Sequence, residues 1–273
     1  MNNKIHTLYF SATGTTEKIV TSIAEKIAEN DDGKISVRPI DFTLPESRKK
    51  TYSFDKEDLV VAGIPVYAGR VPNVLLKFLN TLSGNEATAV AVVLYGNRNY
   101  DDALIEFKDI LEANGFQVVA GGAFIGEHSF STTLAANRPD EQDMAVAADF
   151  AAKIHEKMMT PGEPPAVVVK GNQPYRAYYR PKDQDGNFIN ILKVTPKTSD
   201  DCIDCKLCSE VCPMGSIDSE DVSNITGICI KCGACIKKCP VGAKYFDDEG
   251  YLYHKHELEI EFSGTRREPE YFI

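Results

Sequence analysis

The sequence predicts an α/β protein: a doubly wound, five-stranded parallel sheet followed by a small α+β domain that carries every cysteine. Strand-like apolar runs alternate with helical patterns over residues 1–160, and this alternation is typical of a parallel sheet with helices on both faces. All eight cysteines lie between Cys202 and Cys239. Five strands in this length favour the strand order 2-1-3-4-5, in which ligands bind beyond the carboxyl ends of the strands.

The first half of the predicted sheet consists of three apolar runs and two helical patterns. We expect strands over 5–10, 35–40 and 59–66. The third run is apolar almost throughout, as is typical of a strand that helices cover on both faces. Helices are predicted over 16–29 and 74–82, where apolar residues recur every three or four positions.

The second half follows the same alternation. Strands are predicted over 89–95 and 116–125, with a helix over 103–114 between them. A last helix is predicted over 140–158. The segment 161–165 contains three prolines and one glycine, so it ends the helical pattern.

These patterns divide the chain into four predicted parts. The cysteines define a unit of their own, because the first 201 residues contain none. The parts are a sheet domain over 1–160, a connector arm over 161–197, a cysteine domain over 198–250 and a C-terminal tail over 251–273 that docks on the body of the protein.

The connector and the tail carry weaker signals. Residues 167–169 are a candidate short strand, and 184–187 have the composition of a hairpin turn. Aromatic and basic residues alternate over 173–182, and we interpret them as an arm that packs on its own protein, with cations lying over rings. The alternation over 258–262 predicts a strand, and the apolar end over 271–273 is expected to dock.

Charge and hydropathy exclude several classes of function. The net charge is −10, which argues against nucleic acid as a partner, since phosphate contacts need clustered Lys and Arg. No run approaches the roughly 20 apolar residues of a membrane span, and the N-terminal residues lack a signal-peptide pattern. We therefore expect a cytoplasmic protein. Clustered cysteines in such a chain indicate a metal site rather than disulfides.

The pattern C-x2-C-x2-C-x3-C-P occurs twice, over 202–213 and 229–240. It is the spacing of bacterial iron–sulfur proteins, in which three nearby thiolates bind one [4Fe-4S] cluster and the fourth reaches the other. The predicted ligands are Cys202, Cys205, Cys208 and Cys239 for one cluster, and Cys229, Cys232, Cys235 and Cys212 for the other. Two thiolate zinc sites are the alternative, although zinc usually takes separated C-x2-C pairs. The region resembles the two-cluster bacterial-type ferredoxin domain.

A hydroxyl-rich loop follows the first predicted strand, where a doubly wound sheet binds its ligand. Backbone N–H groups at a helix N-terminus attract anions, hydroxyls add donors, and glycine allows close approach; a helix cap is the simpler alternative. The candidate phosphate ligands are Ser11, Thr13, Gly14, Thr15 and Thr16. Neither G-x-G-x-x-G nor G-x-x-x-x-G-K-[ST] occurs at this loop. The motif resembles the flavodoxin phosphate loop, which implies FMN and a flavodoxin-like fold.

Two further loops lie where a flavodoxin holds the isoalloxazine ring. Tyr67 and Tyr100 are candidates for stacking on it, and the chain has no tryptophan, which leaves one flavin face open to a substrate or a cluster. The candidate residues are Pro65, Tyr67, Ala68, Gly69 and Arg70 in one loop, and Tyr95, Gly96, Asn97 and Tyr100 in the other.

Five residues near the expected flavin ring are candidates for finer roles, of which the resemblance to flavodoxins implies the first. The Ala68–Gly69 peptide is expected to rotate when the flavin gains a proton. Arg70 or Arg98 beside the ring would favour a reduced, anionic flavin; surface salt bridges are the alternative. His128 follows the fifth predicted strand and is a candidate proton donor.

The whole chain resembles the flavodoxin–ferredoxin fusion proteins, or iron–sulfur flavoproteins, of anaerobic bacteria and archaea. The resemblance implies an electron-transfer oxidoreductase that passes electrons between two [4Fe-4S] clusters and FMN. Its partner would be a redox protein or a small electron acceptor, and a homodimer is expected from the fold. Two alternatives stay open: an FMN-dependent reductase of a quinone, nitro-compound or nicotinamide, which turnover without a protein partner would favour, and a redox-sensing or structural module without flavin.

Overall fold

The computed structural model describes residues 4–30, 35–162 and 164–273. Its first 160 residues form five parallel strands, and four helices connect them or follow them. The strands are β1 (Lys4–Tyr9), β2 (Val37–Asp41), β3 (Asp58–Pro65), β4 (Thr88–Tyr95) and β5 (Gln117–Ile125); the helices are α1 (Thr15–Asn30), α2 (Asn73–Leu79), α3 (Ala103–Ala113) and α4 (Glu141–Met159). The order β2-β1-β3-β4-β5 confirms the predicted doubly wound sheet.

Helices cover both faces of this sheet, and each face has its own core. Helices α1 and α4 pack on one face, and α2 and α3 pack on the other. Every residue of β3 except Pro65 is buried, as the continuous apolar run predicted. All five parallel strands end at the edge from which the loops after β1, β3, β4 and β5 emerge, so these loops meet there.

Helix α1 approaches β3 very closely, and a glycine makes the approach possible. A Cβ atom on Gly63 would lie 2.2 Å from Cγ2 of Val20 and 3.1 Å from Cγ2 of Thr16. Both contacts are side chains on the buried face of α1, so the helix would have to move outward. The position of α1, and of the hydroxyl-rich loop that precedes it, depends on this missing side chain.

The predicted strand over 258–262 is wrong, because this segment lies in helix α7 (Glu249–Phe262). Asp248 caps the helix by accepting a hydrogen bond from the Tyr251 N–H at 2.8 Å. Tyr251, His254 and Leu258 are buried along one side, at the three- and four-residue spacing of a helix. The alternation of Leu, Glu and Ile over five residues was too short to exclude that period. The predicted boundary between 250 and 251 falls inside α7.

The apolar end of the chain docks as predicted. Strand β8 (Glu270–Phe272) pairs antiparallel with β5, and Gly121 lies opposite Phe272. It becomes a sixth strand at the edge of the sheet and protects the edge of β5 from other strands. The Tyr271 ring stacks on Phe150 of α4, with 5.1 Å between the ring centroids.

The connector arm packs on its own protein over 173–182, as the sequence predicted. The rings of Tyr175 and Tyr178 lie on the Arg70 guanidinium, at 4.8 and 4.9 Å from its central carbon. Residues 184–187 form the predicted turn, in which Gly186 has a φ of +81°. Residues 167–169 are not a strand, although the Val167 N–H donates to the Val118 carbonyl at 3.1 Å.

The cysteine domain is small and internally repeated. It contains a two-stranded antiparallel sheet and two one-turn helices: β6 (Lys197–Thr198), α5 (Leu207–Glu210), α6 (Ala234–Lys237) and β7 (Lys244–Tyr245). Equivalent residues of the two cysteine runs share a left-handed backbone: Asp204 matches Lys231, and Lys206 matches Gly233. The repeated spacing of the sequence is therefore also a repeated chain path.

No helix within the three described ranges is long and apolar enough to cross a membrane.

We predict that Gly63→Ala destabilises the protein by about 1–3 kcal/mol, because an added Cβ overpacks the contact with Val20. Urea unfolding monitored by far-UV circular dichroism measures the change. Gly264→Ala is the control, since nothing lies within 4 Å of its added Cβ. Equal stability of the two variants would contradict the proposed packing constraint.

Candidate functional site

The loop between β1 and α1 presents a cradle of unpaired donors. Gly14 has a φ of +91°, and its carbonyl accepts the Lys18 N–H at 3.0 Å, which begins the helix. The backbone N–H groups of residues 12–16 have no acceptor among the described residues, and neither do the hydroxyls of Thr13, Thr15 and Thr16. Donors at the N-terminus of a 16-residue helix suit a phosphate.

Ser11 has a different role from its neighbours. Its hydroxyl oxygen accepts the Glu17 N–H at 3.0 Å, and its own N–H donates to Oγ1 of Thr43 at 2.8 Å. Ser11 therefore anchors the loop to the helix and to the segment after β2, and it does not line the adjacent cavity.

The cavity beside this loop brings together segments that are far apart in sequence. Its wall contains Thr13, Thr15, Thr16, Pro65, Tyr67, Tyr95, Gly96 and His128 from the predicted site, and also Ala12, Val66, Leu94, Gly126, Glu127, Ser129 and Cys232. The loops after β1, β3, β4 and β5 each contribute. The unpaired donors of the hydroxyl-rich loop thus share one cavity with the aromatic rings of Tyr67 and Tyr95 and with the polar side chains of Glu127, His128 and Ser129. A cofactor that carries a phosphate suits such a combination, because the donors can bind the phosphate while the rings contact another part of it.

Tyr67 is half-buried and lines this wall. Burial raises the pKa of its phenol well above the usual value, and the nearby Cys232 and Cys229 raise it further. The phenol is thus neutral at all ordinary pH values. Its backbone pairs with Arg70 across a tight turn, through hydrogen bonds of 3.1 Å in both directions.

The Ala68–Gly69 turn is held in place from two sides. The Ala68 carbonyl accepts the Tyr179 N–H at 2.9 Å, and the Gly69 carbonyl accepts the Asp102 N–H at 3.1 Å. Both residues have positive φ, and a Cβ on Gly69 would lie 2.3 Å from an oxygen of Asp101. Rotation of this peptide would break the Tyr179 bond, so the structure opposes the expected peptide rotation.

Arg70 does not line the cavity, contrary to the prediction. Its guanidinium forms a fork with Glu106, with both N–O distances at 2.7 Å, and the Val71 N–H donates to the same carboxylate at 2.8 Å. Arg98 likewise pairs with Asp101 and lies over the Tyr179 ring. Salt bridges to their own protein are therefore the role of both arginines.

Asn97 and Tyr100 also point away from the cavity. The Asn97 amide donates to the carbonyls of Phe262 and Thr265, both at 2.8 Å. The Tyr100 hydroxyl donates to Glu270 at 2.7 Å. Both side chains therefore fasten the C-terminal tail, and a role at the flavin stays a prediction for them. The sequence did not reveal these tail contacts, because they join residues 165 or more positions apart and leave no local signal.

His128 is held in one tautomer at the cavity. Its Nδ1 accepts the Phe130 N–H at 3.1 Å, so the neutral ring carries its proton on Nε2. Burial and, to a smaller extent, the cation of Lys237 together lower its pKa to about 4. At neutral pH the imidazole is uncharged and is a hydrogen-bond donor. Its ring packs against Gly96, where a Cβ would lie 2.4 Å from Cδ2.

The eight cysteines line two separate cavities, four in each. Cys212, Cys229, Cys232 and Cys235 line one, which we call the proximal set. Cys202, Cys205, Cys208 and Cys239 line the other, which we call the distal set. Each set contains the first three cysteines of one run and the fourth cysteine of the other run. Two-cluster proteins with this spacing exchange their fourth ligands in the same way.

The chemistry of both sets suits a metal centre. Burial raises the pKa of Cys232 and of Cys235 to about 12, so thiolates at these positions need bound cations to be stable. Backbone N–H groups also point at the crossing sulfurs: Ser216 donates to Sγ of Cys212 at 3.4 Å, and Ala243 donates to Sγ of Cys239 at 3.2 Å. Such N–H···S bonds tune the potential of iron–sulfur clusters.

Cys232 lines both the proximal cavity and the cavity beside the hydroxyl-rich loop. The next residue, Gly233, has a φ of +77°, and a Cβ there would lie 2.5 Å from the Ser129 carbonyl oxygen. Lys237 closes the same junction: its ammonium donates to the carbonyls of His128 and Ser131 at 2.8 and 3.0 Å and pairs with Glu127 at 2.9 Å. Sequence reasoning did not place Cys232, Ser129 or Lys237 at this junction, because nothing local signals it.

Comparison with known proteins agrees with this division. A family model of the flavodoxin domain matches residues 7–127, and a family model of the 4Fe-4S dicluster domain matches residues 201–243. No curated protein matches the chain.

Several solved structures resemble the first part of the chain. A flavodoxin from Streptococcus pneumoniae TIGR4 is 18% identical, with a TM-score of 0.39, and the match covers 56% of this chain and 99% of the flavodoxin. A Fusobacterium nucleatum flavodoxin bound to flavin mononucleotide is 19% identical, with a TM-score of 0.36 and coverage of 56% and 97%. An NADH:FMN oxidoreductase is 16% identical, with a TM-score of 0.39 and coverage of 59% and 91%.

The two family models match different parts of the chain and fit the two kinds of site found there. The part matched by the flavodoxin model contains the cradle of unpaired donors, and the part matched by the 4Fe-4S dicluster model contains the two sets of cysteines. Together the two matches support an electron-transfer redox protein with FMN and 4Fe-4S chemistry. Their order along the chain is consistent with a flavodoxin–ferredoxin fusion protein.

Proposed function

We propose that this protein is an oxidoreductase that passes electrons between two [4Fe-4S] clusters and FMN within one chain. We call the cavity beside the hydroxyl-rich loop the flavin cavity, because we propose that it binds FMN. The observation that carries the proposal is that Cys232 lines both this cavity and the cavity of the proximal set. When bound, clusters exchange single electrons and FMN exchanges one or two. Because Cys232 belongs to both walls, the proximal set borders the flavin cavity directly.

The two cysteine sets have different surroundings, which suggests different roles. Cys232 is half-buried and packs against the core of the flavodoxin domain, and Ala234 nearby is a buried member of that core. In the distal set, Cys205 is exposed, as is Ile203 beside it. We infer that the proximal set holds the cluster that exchanges electrons with the flavin, and that the distal set holds the cluster that faces external redox partners.

Side chains around the flavin cavity supply the rest of the site. Thr13, Thr15 and Thr16 would hold the phosphate, together with the free N–H groups of the loop. The buried phenol of Tyr67 supplies an aromatic wall. The Nε2–H of His128 is a fixed neutral donor at the same cavity, which suits a hydrogen bond to a flavin heteroatom. The segment from Cys232 onward closes the side that a tryptophan covers in many flavodoxins.

The expected partners follow from charge and exposure. A net charge of −10 disfavours nucleic acid and suits a redox protein that presents a basic surface to the acidic chain. We propose a cytoplasmic electron carrier on this basis, and the homodimer stays a prediction. Reduction of a quinone, nitro-compound or nicotinamide at the flavin is the competing function, and turnover without a protein partner would reveal it.

Protein isolated without oxygen should contain about eight irons and one FMN per chain, since two four-iron clusters are proposed. Cys205→Ala removes one distal ligand, so the iron content should fall while FMN and the proximal cluster stay. Iron assay, flavin absorbance and electron paramagnetic resonance of the reduced protein measure this. Iron without flavin would refute the flavin half of the proposal, and two zinc ions without colour would refute both halves.

Thr13→Val should weaken FMN binding about 10- to 100-fold, because an isosteric change removes one donor to a charged phosphate. Fluorescence titration of the apoprotein with FMN measures the dissociation constant. Thr51→Val is the matched control, because Thr51 is exposed and lies outside the cavity. Unchanged affinity in Thr13→Val would show that this hydroxyl does not hold the phosphate.

Gly233→Ala should slow flavin reduction through the clusters while iron and FMN contents stay normal, because the added Cβ pushes the proximal segment off Ser129. Stopped-flow absorbance, with a reduced iron–sulfur protein as donor, separates cluster from flavin reduction. Gly186→Ala is the control: it has the same left-handed strain, with φ of +81° and nothing within 4 Å. Equal rates in both variants would contradict electron transfer across this junction.

A further inference from the structure

A second, larger cavity lies on the other side of the β4–α3 loop from the flavin cavity. Its volume is about 570 Å³, which is within the size range of small-molecule sites. Three segments form its wall: the loop over 99–102, the connector over 170–176 and the tail over 265–270. Tyr95 lines both this cavity and the flavin cavity. We call it the tail cavity.

The acidic side chains of the tail cavity are all engaged. Asp101 pairs with Arg176 at 3.2 Å, and Asp102 accepts both the backbone N–H and the side-chain amide of Asn172 at 3.0 and 2.8 Å. In the tail, Arg266 pairs with Glu268 at 2.9 Å and Lys170 with Glu270 at 2.9 Å. These carboxylates therefore stabilise the wall and leave little capacity to bind a cation.

Arg267 is the exception among the cations of the wall. Its guanidinium has no acid partner and no hydrogen-bond acceptor anywhere in ranges 4–30, 35–162 and 164–273. Its backbone, by contrast, is anchored: the N–H donates to Asn97 Oδ1 at 3.1 Å, and the carbonyl accepts two N–H groups of Arg138, each at 3.1 Å. These bonds fix the point at the cavity from which the side chain extends, and its guanidinium is available to a ligand.

The Tyr95 hydroxyl is a second free donor in the same place. It has no partner among the residues that the structure describes, and it is not sealed from solvent. The phenol lies in the electrostatic field of Arg267 and Glu270, which both line the tail cavity. Burial raises its pKa to about 12, so the hydroxyl keeps its proton and can donate.

We propose that the tail cavity binds a small organic monocarboxylate, with Arg267 and the Tyr95 hydroxyl as the donors to its carboxylate. A guanidinium and a hydroxyl are suitable donors to carboxylate oxygens. The wall has four cations (Lys170, Arg176, Arg266 and Arg267) and four acids (Asp101, Asp102, Glu268 and Glu270), so it is neutral as a whole. Lys170, Arg176 and Arg266 already pair with acids. The wall therefore offers one unpaired cation within the described ranges, which matches a single carboxylate better than a polyanion.

The test uses protein saturated with FMN and with its clusters, so that the phosphate cradle is filled. Isothermal titration with acetate, lactate and benzoate probes aliphatic, hydroxylated and aromatic monocarboxylates, and adenosine 5′-monophosphate probes a phosphate monoester. At least one monocarboxylate should bind, and Arg267→Gln should weaken it about tenfold, the loss expected for one charge-assisted bond. Tyr95→Phe should cause a smaller loss.

Arg38→Gln is the matched control, because it removes the same charge from an exposed position on β2 at the opposite edge of the sheet. It should bind like the unaltered protein. The proposal is overturned if no monocarboxylate binds, if only the phosphate monoester binds, or if Arg267→Gln and Arg38→Gln bind equally well. Circular dichroism of each variant shows whether it is folded, and the exposed position of Arg267 favours that.

Discussion

The close contact between Gly233 and Ser129 is the constraint on which the arrangement of the two domains depends. A backbone without a side chain lets the cysteine domain reach the loop after β5. The ammonium of Lys237, which is 12% exposed, then bonds to two carbonyls and one carboxylate of that loop. A cation buried to this degree is stable only with its partners, and the loss of one partner typically costs about 3–5 kcal/mol. These bonds therefore favour one orientation of the cysteine domain on the loop after β5.

That arrangement explains why residues of both domains line the flavin cavity. Cys232 from the cysteine domain lines this cavity together with His128 and Ser129 from the loop after β5. This part of the wall thus contains a proposed cluster ligand and a neutral imidazole. The proposed flavin site and the proximal set of cysteines therefore share one wall.

The connector and the tail hold several side chains that the sequence motifs had suggested as flavin contacts. Arg70, Asn97 and Tyr100 lie in loops at the ligand-binding edge of the sheet, but they bind Glu106, the end of α7 and Glu270 respectively. The Ala68–Gly69 turn is fixed in the same way by Tyr179. These contacts hold the loops against the connector and the tail. The same three segments form the wall of the tail cavity. The tail reaches this place because the chain returns to the sheet as β8.

The sequence by itself determined the class of the fold, the order of its five parallel strands and the two sets of cysteines. These features follow from local period and spacing: a buried parallel strand is apolar throughout, and repeated Cys spacing limits which thiolates can meet. The strand predicted over 258–262 failed because five alternating residues do not distinguish a strand from one side of a helix. Only the tertiary structure decided which side of each loop faces the flavin cavity and that Cys232 borders it. Those outcomes depend on contacts between segments more than 100 residues apart, such as Lys237 with His128, and no periodicity in the chain records them.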